Sequence, residues 1–459
     1  MAEKEEKKIN RRTYLKYVAG GAVAVAAAAG GYYLYQQPPS PTTTATSAAV
    51  KTSAAVTTPL PEMMLVWNNH EEEELRKAYV DASKAFTAST GVRVESLSIP
   101  GMDFHAKFAS GVAAKALPDI ITPDPAMIKA YIAKGSFEPL DDVIDEIGWD
   151  KFYESPMQDF AYEGKHYGVN LFNGVYGLVY RKDHFAEAGV SVPTNWDELL
   201  EAAKALTKGK DRYGFGTASG THLIADWFSY TFMRTNKADI FDESGNVIFN
   251  SPETVETFEF LRELYKYAPA ETKAWSWSDQ KRGIWSGLCS MAFYQPISVL
   301  KDTLQYAEPG VASQIGGAPT PKHTEDYRFL EETGLCAPKG GQSGNLQLTK
   351  ALIKEYSKPE NALLFSSRGA PIDYLPATKP VQEMKEYWSD PNIGPHQDLF
   401  RSTIALQEHG GAFARGSTYA TPVLGAHILA NCLQKVVYTK ATVASIVTEY
   451  EAEIKKVIS

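Results

Sequence analysis

The chain has 459 residues, 44% hydrophobic and 22% charged, which is typical of a globular protein with two or three domains. Its net charge of −9 is unevenly distributed. The first 61 residues have a positive net charge, and the remainder from Glu62 onward has a negative one. An acidic body argues against a nucleic-acid partner, since phosphate binding requires clustered Lys and Arg. Three cysteines allow at most one disulfide and exclude a disulfide framework.

The N-terminus is basic and then apolar. Arg11 and Arg12 precede an uncharged run from Tyr17 to Gln37, close to the ~20 residues that span a bilayer. This pattern predicts an export signal or membrane anchor over residues 1–37, and the paired arginines resemble the twin-arginine type. The positive flank places the body on the outer side of the membrane, whether the segment is cleaved or retained. A buried Ala-rich helix is the alternative.

Residues 38–62 are rich in Thr, Ser, Ala and Pro. Such a composition cannot bury a core and predicts an extended stalk. Behind a retained span, this stalk would tether the body to the outer face of the membrane. A linker that is removed during maturation is the alternative.

The body opens with a strand at Met63 (MLVW), a helix over residues 71–90 that ends at Gly91, and a second strand, VRVESLSI. This β-α-β order predicts parallel strands joined by a right-handed crossover. His70 and the acidic residues after it could suggest a metal site. Acidic residues also favour the first turn of a helix, where they face the positive end of its dipole.

Residues 173–207, NGVYGLVYRKDHFAEAGVSVPTNWDELLEAAKALT, predict a strand, a short helix and a longer amphipathic helix. Asn195 or Thr194 can cap the longer helix, and Glu198 or Asp197 can complete a capping box. Farther on, FDESGNVIFNSPETVETFEFLREL predicts a hairpin followed by a helix that Ser251 caps.

Residues 173–207 resemble a segment of the family-1 extracytoplasmic solute-binding proteins of ABC importers. In that family a strand ending in YNKD, then AG, then P-x-TWDEL recur in this order. Other stretches resemble further elements of that family: FTASTGVRVESLSIP and KALPDIITPDPAMIKAYIAKGSFEPLDD early in the body, and PENALLFSSRGAPIDYLPATKPV later. The matching elements follow one another in the same order over nearly all of residues 63–459.

The resemblance implies an α/β, two-lobed periplasmic-binding-protein-like fold of type II, in which each lobe is a mostly parallel sheet with flanking helices. The chain would cross between the lobes near Asn173, Leu335 and Pro376, and the ligand would occupy the hinged cleft between them. The implied parts are residues 63–173 and 335–376 for lobe 1, and residues 174–334 and 377–459 for lobe 2.

The sequence contains no G-x-x-x-x-G-K-[ST], H-E-x-x-H, C-x-x-C or G-x-S-x-G motif. The binding subunit of an importer needs none of them, because a partner ATPase supplies the energy. This favours binding over catalysis, and we expect no cofactor and no metal. A secreted carbohydrate-active enzyme also lacks short motifs, however, and remains an alternative.

Several polar residues fall where a ligand is expected. Asn69 and His70 follow the first strand and Asp124 follows a later one, and in open α/β sheets ligands bind beyond the carboxyl ends of strands. Asn69 and Asp124 could instead cap helices. Asn173 and Tyr176 lie at the expected crossing between the lobes and would face the cleft.

Aromatic side chains are the expected sugar-binding surface, because a ring covers the C–H face of a sugar and its polar edge meets hydroxyls. The candidates lie near predicted strand ends or lobe junctions, with core packing as the alternative for each: Trp67, Trp275, Trp277, Tyr294 and Tyr374. Tyr294-Gln295 stands where maltodextrin-type members often have a Trp, which argues against maltodextrin. Arg415 lies in a Gly-rich segment and could contact ligand or remain on a surface loop.

Three functions fit these observations. The leading one is a monomeric, extracytoplasmic solute-binding protein that is anchored by its N-terminus, closes around a sugar and delivers it to the permease and ATPase of an ABC importer. Polyols of the glycerol-phosphate type and peptides are alternative ligands. The other two functions are a secreted carbohydrate-active enzyme and a surface adhesin or chemoreceptor module.

Overall fold

The computed structural model describes residues 60–70, 73–99, 101–368 and 373–459. The predicted export segment and all but the last residues of the predicted stalk lie outside the described residues. Within the described part, no helix combines the length and the apolarity that a membrane span requires. All three cysteines are buried and unbridged.

The strands are short and distributed along the whole body. In chain order they are β1 Met63–Asn68, β2 Arg93–Ser98, β3 Ile120–Thr122, β4 Ala161–Tyr162, β5 Lys165–His166, β6 Val169–Val175, β7 Gly177–Arg181, β8 Tyr213–Phe215, β9 Cys289–Tyr294, β10 Ile315–Ala318, β11 Arg328–Leu335, β12 Leu375–Pro376 and β13 Gly410–Gly411.

Helices make up most of the remaining regular structure. The α-helices are α1 Glu73–Ala82, α2 Lys84–Thr90, α3 Gly101–Ala114, α4 Pro125–Ala133, α5 Asp141–Ile147, α6 Glu154–Asp159, α7 Lys182–Ala188, α8 Trp196–Leu206, α9 Leu223–Thr235, α10 Pro252–Leu264, α11 Trp277–Trp285, α12 Pro296–Tyr306, α13 Leu346–Tyr356, α14 Pro359–Leu363, α15 Lys379–Glu383, α16 Lys385–Trp388, α17 Gln397–Ile404, α18 Ala420–Gly425, α19 Ile428–Tyr438 and α20 Val443–Ile458. Short 3₁₀ turns occupy Trp149–Lys151, Tyr265–Tyr267, Ala270–Ala274, Ala312–Gln314, Gly394–His396 and Ala405–His409, and a π-turn occupies Leu364–Arg368.

The first sheet has the order β2-β1-β3, and both strand pairs are parallel. This confirms the predicted β-α-β opening. The predicted single helix over residues 71–90 is wrong in one respect, because α1 and α2 are separate helices that meet at Ser83. There the Ser83 hydroxyl donates a hydrogen bond of 2.8 Å to the Val80 carbonyl, which closes a local turn.

Alternation along β1 separates two apolar clusters on the two faces of this sheet. Met64 and Val66 belong to one cluster, which also contains Ile120 and Leu335. Trp67 belongs to the other cluster. Burial on both faces is expected for a parallel sheet covered by helices. We call the part of the molecule built on this sheet lobe 1.

The second main sheet, with the order β10-β7-β9-β8, lies in the largest apolar cluster, and we call this part lobe 2. Here β7 is antiparallel to both β9 and β10, and only β8 and β9 are parallel. The expected mostly parallel sheet is therefore present in lobe 1 and not in lobe 2.

Two adjacent antiparallel strands, β6 and β11, run from one apolar core to the other. Val169 and Leu335 at one end belong to the lobe 1 core, whereas Val175 and Leu330 at the other end belong to the lobe 2 core. The pairing places Gly174 opposite Glu331 and Asn173 opposite Glu332. We call β6 and β11 the crossing strands. The residue boundaries of the lobes stay a prediction.

The predicted cap of α8 offers a test of this local structure. The Asn195 side chain accepts a hydrogen bond of 2.9 Å from the Glu198 N–H, while the Glu198 carboxylate accepts one of 2.8 Å from the Thr194 N–H. We expect Asn195→Ala to lower the free energy of unfolding by about 1 kcal/mol, measured by denaturant titration. The exposed mid-helix control Glu201→Ala should change stability little, and equal losses in the two variants would contradict the capping role.

Candidate ligand-binding cleft

A cavity of about 290 Å³ is lined by residues of both lobes and of the crossing strands. Lobe 1 contributes the segments that follow β1 and β3, and lobe 2 contributes α9, α11, β9 and α12. The lining residues are Asn69, His70, Asp124, Met127, Tyr176, Leu223, Trp227, Trp277, Ser278, Lys281, Tyr294, Gln295, Ser298, Glu331, Asp373 and Tyr374.

The lobe 1 wall is formed beyond the carboxyl ends of two neighbouring parallel strands. Asn68 pairs with Thr122 at the ends of β1 and β3, so Asn69 and Asp124 emerge at the same edge of the sheet. Asp124 also caps α4, because its Oδ1 accepts a hydrogen bond of 2.7 Å from the Ala126 N–H. Its Oδ2 and the Asn69 Oδ1 are buried and have no hydrogen-bond partner among the described residues.

His70 is a neutral, fixed part of this wall. Its Nδ1 lies 3.2 Å from the Tyr374 hydroxyl, and its ring packs at 5.1 Å from the rings of Phe172 and Tyr374. Burial lowers the pKa of His70 to about 4, although the negative charge of Asp373 opposes this effect. The imidazole therefore presents no positive charge to the cavity near neutral pH.

A hydrogen-bonded carboxyl group lies on the crossing strands. Oε2 of Glu331 accepts hydrogen bonds from the Tyr176 hydroxyl at 3.0 Å and from Gln295 Nε2 at 2.7 Å. The Gln295 amide fits because residue 174 is glycine: a Cβ there would lie 2.3 Å from Gln295 Nε2. Burial, aided by the charge of Asp124, raises the pKa of Glu331 to about 8.

The lobe 2 wall is aromatic. The ring centroids of Trp227 and Trp277 are 5.5 Å apart, and Tyr176 lies 5.5 Å from both Trp227 and Tyr294. The indole Nε1 of Trp227 is buried, and the described part of the chain offers it no hydrogen-bond partner. This wall thus combines ring faces suited to C–H groups with an unused N–H donor.

Two ion pairs complete the lining. Lys281 lies 3.0 Å from Asp302, and Lys301 lies 2.6 Å from Asp373. Burial acts to raise the pKa of Asp373, but the charges of Lys301 and Lys281 outweigh burial and lower it. Asp373 is therefore ionised and neutralised by a lysine of lobe 2, unlike the carboxyls of Asp124 and Glu331.

Eight of the twelve residues predicted from the sequence line this cavity, namely Asn69, His70, Asp124, Tyr176, Trp277, Tyr294, Gln295 and Tyr374. The other four lie elsewhere. Trp67 precedes the end of β1 and is buried in the lobe 1 core, with the Lys107 ammonium 5.1 Å from its ring. Asn173 is fully buried and its Nδ2 donates to Gln407 Oε1 at 2.7 Å, because alternation along β6 turns it to the side opposite Gly174.

Trp275 and Arg415 are also engaged elsewhere. Trp275 packs against the lobe 2 core, with its ring close to Gly216 and Gly283. Arg415 forms a bidentate ion pair with Asp159, with distances of 2.7 Å between Nε and Oδ1 and 2.8 Å between Nη2 and Oδ2. Its guanidinium is therefore committed to a buried carboxylate and lines a different cavity.

Sequence reasoning missed eight lining residues: Met127, Leu223, Trp227, Ser278, Lys281, Ser298, Glu331 and Asp373. One of them, Lys281, could have been predicted from the sequence. It follows the predicted residue Trp277 by four positions on α11 and therefore lies on the same face of that helix. Glu331 could not, because only the register of β11 decides whether Glu331 or Glu332 reaches the cavity.

The cavity between two α/β lobes joined by crossing strands defines the class of a two-lobed solute-binding protein. Residues 81–395 match the family model described as bacterial extracellular solute-binding protein. The match covers well over half of the chain, so the chain belongs to this family, which confirms the resemblance recognised in the sequence.

Individual relatives are distant. A protein of Brucella abortus that is named a binding protein is 25% identical over 189 residues, which are 40% of this chain and 46% of that protein. The chain thus spans about half the length of this relative. YcjN of Escherichia coli, described as an ABC transporter periplasmic-binding protein, is 21% identical over 80% of this chain and 86% of its own length.

A solved structure shows the same fold. The ABC transporter solute-binding protein of Thermotoga lettingae, bound with α-D-tagatose, superposes with a TM-score of 0.73 at 18% sequence identity. The superposition covers 87% of this chain and 100% of that chain. This likeness confirms the expected α/β fold with two lobes.

The raised pKa of Glu331 predicts a specific pH dependence of stability. The folded state binds this proton up to about pH 8, whereas the unfolded state releases it near the ordinary value of 4.5, so the stability that Glu331 contributes falls as the pH rises between these values. We expect Glu331→Gln to be more stable than the parent at about pH 8 and nearly equal to it at about pH 4, by thermal unfolding.

The exposed variant Glu259→Gln is the matched control for this experiment. It should follow the parent at every pH, because an exposed carboxylate has similar surroundings in the folded and unfolded states. A gain in stability for Glu331→Gln that is the same at both pH values would contradict the buried, proton-binding role of Glu331.

Proposed function

We propose that this protein is the extracytoplasmic substrate-binding subunit of an ABC importer and captures a carbohydrate in the cavity between its lobes. The observation that carries the proposal is the composition of the wall: Trp227, Trp277 and Tyr294 offer ring faces, while Asn69 and Asp124 offer unused acceptors. A sugar presents C–H groups on its faces and hydroxyls at its rim, and so fits both kinds of surface.

The size of the cavity favours a small carbohydrate. Ligand pockets usually measure about 300–1,000 Å³, and the volume of about 290 Å³ lies at the lower end of this range. One sugar ring, or two, fits this space better than a long oligosaccharide does. The tagatose bound by the Thermotoga lettingae relative is a ligand of this size.

Capture follows from the way the lobes are connected. A ligand that contacts Asp124 on lobe 1 and Trp277 on lobe 2 binds the closed arrangement better than an open one, with the crossing strands β6 and β11 as the hinge. Closure is favoured by no more than the difference in the ligand's affinity for the two arrangements. The closed protein then docks on the membrane permease, whose partner ATPase supplies the energy for import.

The remaining parts of the proposal concern location and assembly. The basic, then apolar N-terminus supports export and anchoring to the outer face of the membrane, with residues 38–62 as the stalk. We propose a monomer, since one chain supplies both walls of the cavity. An anionic ligand such as a glycerol phosphate fits poorly, because the lining residue Lys281 is already paired with Asp302 and the other lining charges are carboxyl groups.

We propose binding without catalysis. Hydrolysis of a glycoside requires one protonated and one ionised carboxyl group on either side of the scissile bond. In this cavity the carboxyl group whose pKa is lowered, Asp373, is held by Lys301 at 2.6 Å and is therefore a poor nucleophile or base. Conversion of a chromogenic glycoside to product by the purified protein would contradict this view.

A thermal-unfolding screen tests the ligand class. The purified chain is heated with mono- and disaccharides, polyols, a glycerol phosphate and peptides at millimolar concentrations. A ligand that binds the folded state must raise the midpoint by mass action. We expect at least one mono- or disaccharide to do so. If only peptides or the glycerol phosphate raise the midpoint, carbohydrate capture is wrong.

Truncation of the aromatic wall tests the site. We expect Trp277→Ala to weaken binding of the sugar found in the screen by about tenfold or more, equivalent to ~1.4 kcal/mol, measured by calorimetry. The control Trp149→Ala removes an indole that is 41% exposed and lies outside the cavity, so it should leave affinity unchanged. Equal affinity in the parent and Trp277→Ala would place the sugar elsewhere.

A further inference from the structure

The lobe 1 side of the cavity contains more hydrogen-bond acceptors than donors. Asp124 lines the cavity and is 97% buried, and among the described residues its Oδ2 has no hydrogen-bond partner; the Oδ1 of the neighbouring lining residue Asn69 has none either. Glu331, on the crossing strands, is close enough for the charge of Asp124 to act on its carboxyl group. An unpaired, almost fully buried carboxylate oxygen is costly unless a bound group donates to it.

The cations of the described residues leave the carboxyl groups of Asp124 and Glu331 without an ion-pair partner. Within the described part of the chain, neither Asp124 nor Glu331 forms an ion pair with a lysine or arginine, because the nearby cations are bound to other carboxylates. Those pairs are Lys281 with Asp302, Lys301 with Asp373, and Arg415 with Asp159. His70 is neutral, and the hydroxyl groups that line the cavity are those of Tyr176, Tyr294, Tyr374, Ser278 and Ser298.

We propose, on the basis of the carbohydrate-binding function above, that the ligand is a basic sugar whose ammonium group binds between Asp124, Glu331 and Asn69. An ammonium group carries three N–H donors and no acceptor, which matches a wall of unpaired acceptors. A neutral hydroxyl brings only one hydrogen and so satisfies fewer of these unpaired acceptor oxygens than an ammonium group does. The indole N–H of Trp227 is left for a ring or hydroxyl oxygen of the same sugar.

Electrostatics supports the same assignment. Burial raises the pKa of Asp124 to about 7. The hydrogen bond from Ala126 acts to lower this pKa, and the charge of Asp159 acts to raise it further. The pKa of Glu331 is raised to about 8. An ammonium group between them favours both ionised forms and lowers both pKa values. Binding of a basic sugar near neutral pH therefore releases protons from these carboxyl groups.

Calorimetry on the full chain tests the proposal. The probes are glucosamine, galactosamine and mannosamine, each compared with its neutral parent sugar and its N-acetyl derivative, which has the same ring without the charge. We expect one amine to bind at least tenfold more tightly than both of its uncharged counterparts at about pH 7. Titrations in buffers of different ionisation enthalpy should show that protons are released on binding of the amine.

Two variants locate the ammonium group. Glu331→Gln and Asp124→Asn preserve size and hydrogen bonding, and asparagine can still cap α4. We expect each to reduce the preference for the amine over its neutral parent by about tenfold. Glu259→Gln, on the exposed surface, is the matched control and should keep the full preference.

The outcomes separate this inference from the function on which it rests. If a neutral sugar binds as tightly as its amine, or if both variants keep the preference for the amine, the ammonium site is overturned and carbohydrate capture stands. If none of the neutral, acetylated or basic sugars binds, carbohydrate capture itself fails, and the basic-sugar assignment fails with it.

Discussion

The pairing of β6 with β11 is the constraint on which the rest of the site depends. These strands are shared by both cores, and side chains alternate across them, so a single register decides what each face contains. Glu331 lines the cavity and Gly174, its partner in the pairing, lies on the same face of the strands, whereas Asn173 and Glu332 lie on the opposite, fully buried face. A shift by one residue would exchange the two faces and place a different set of polar groups in the cavity.

The buried face of the same strands explains why its charged residues do not bind ligand. Burial and the nearby Asp159 raise the pKa of Glu332 well above its ordinary value. Asp159 forms an ion pair with the guanidinium of Arg415, and Lys129 donates to the Asp159 carbonyl at 2.9 Å. These groups lie together on the buried face of the crossing strands and do not line the cavity.

The sequence predicts best those features that depend on local rules. Asn69, His70 and Asp124 could be predicted to line the cavity because they lie beyond the carboxyl ends of parallel strands, where ligands bind in such sheets. The opening β-α-β unit could be predicted from its sequence pattern. Arg415 was misplaced because its partner Asp159 lies 256 residues away in the chain. Glu331 was missed because its exposure depends on strand register and on the irregularity after Thr333, neither of which a single sequence displays.

Gly174 contributes no side chain to the cavity, yet the hydrogen bonding of the cavity wall depends on it. The Gln295 amide occupies the space that a Cβ at residue 174 would take, and from there it donates to Glu331. The backbone of Gly174 is not in the left-handed region that favours glycine. An alanine at this position would therefore meet only the steric conflict with the Gln295 side chain. A single change at a residue outside the cavity would thus displace a donor and alter the surroundings of the Glu331 carboxyl group. The hydrogen bonding of the cavity wall is therefore set in part by a residue one layer behind it.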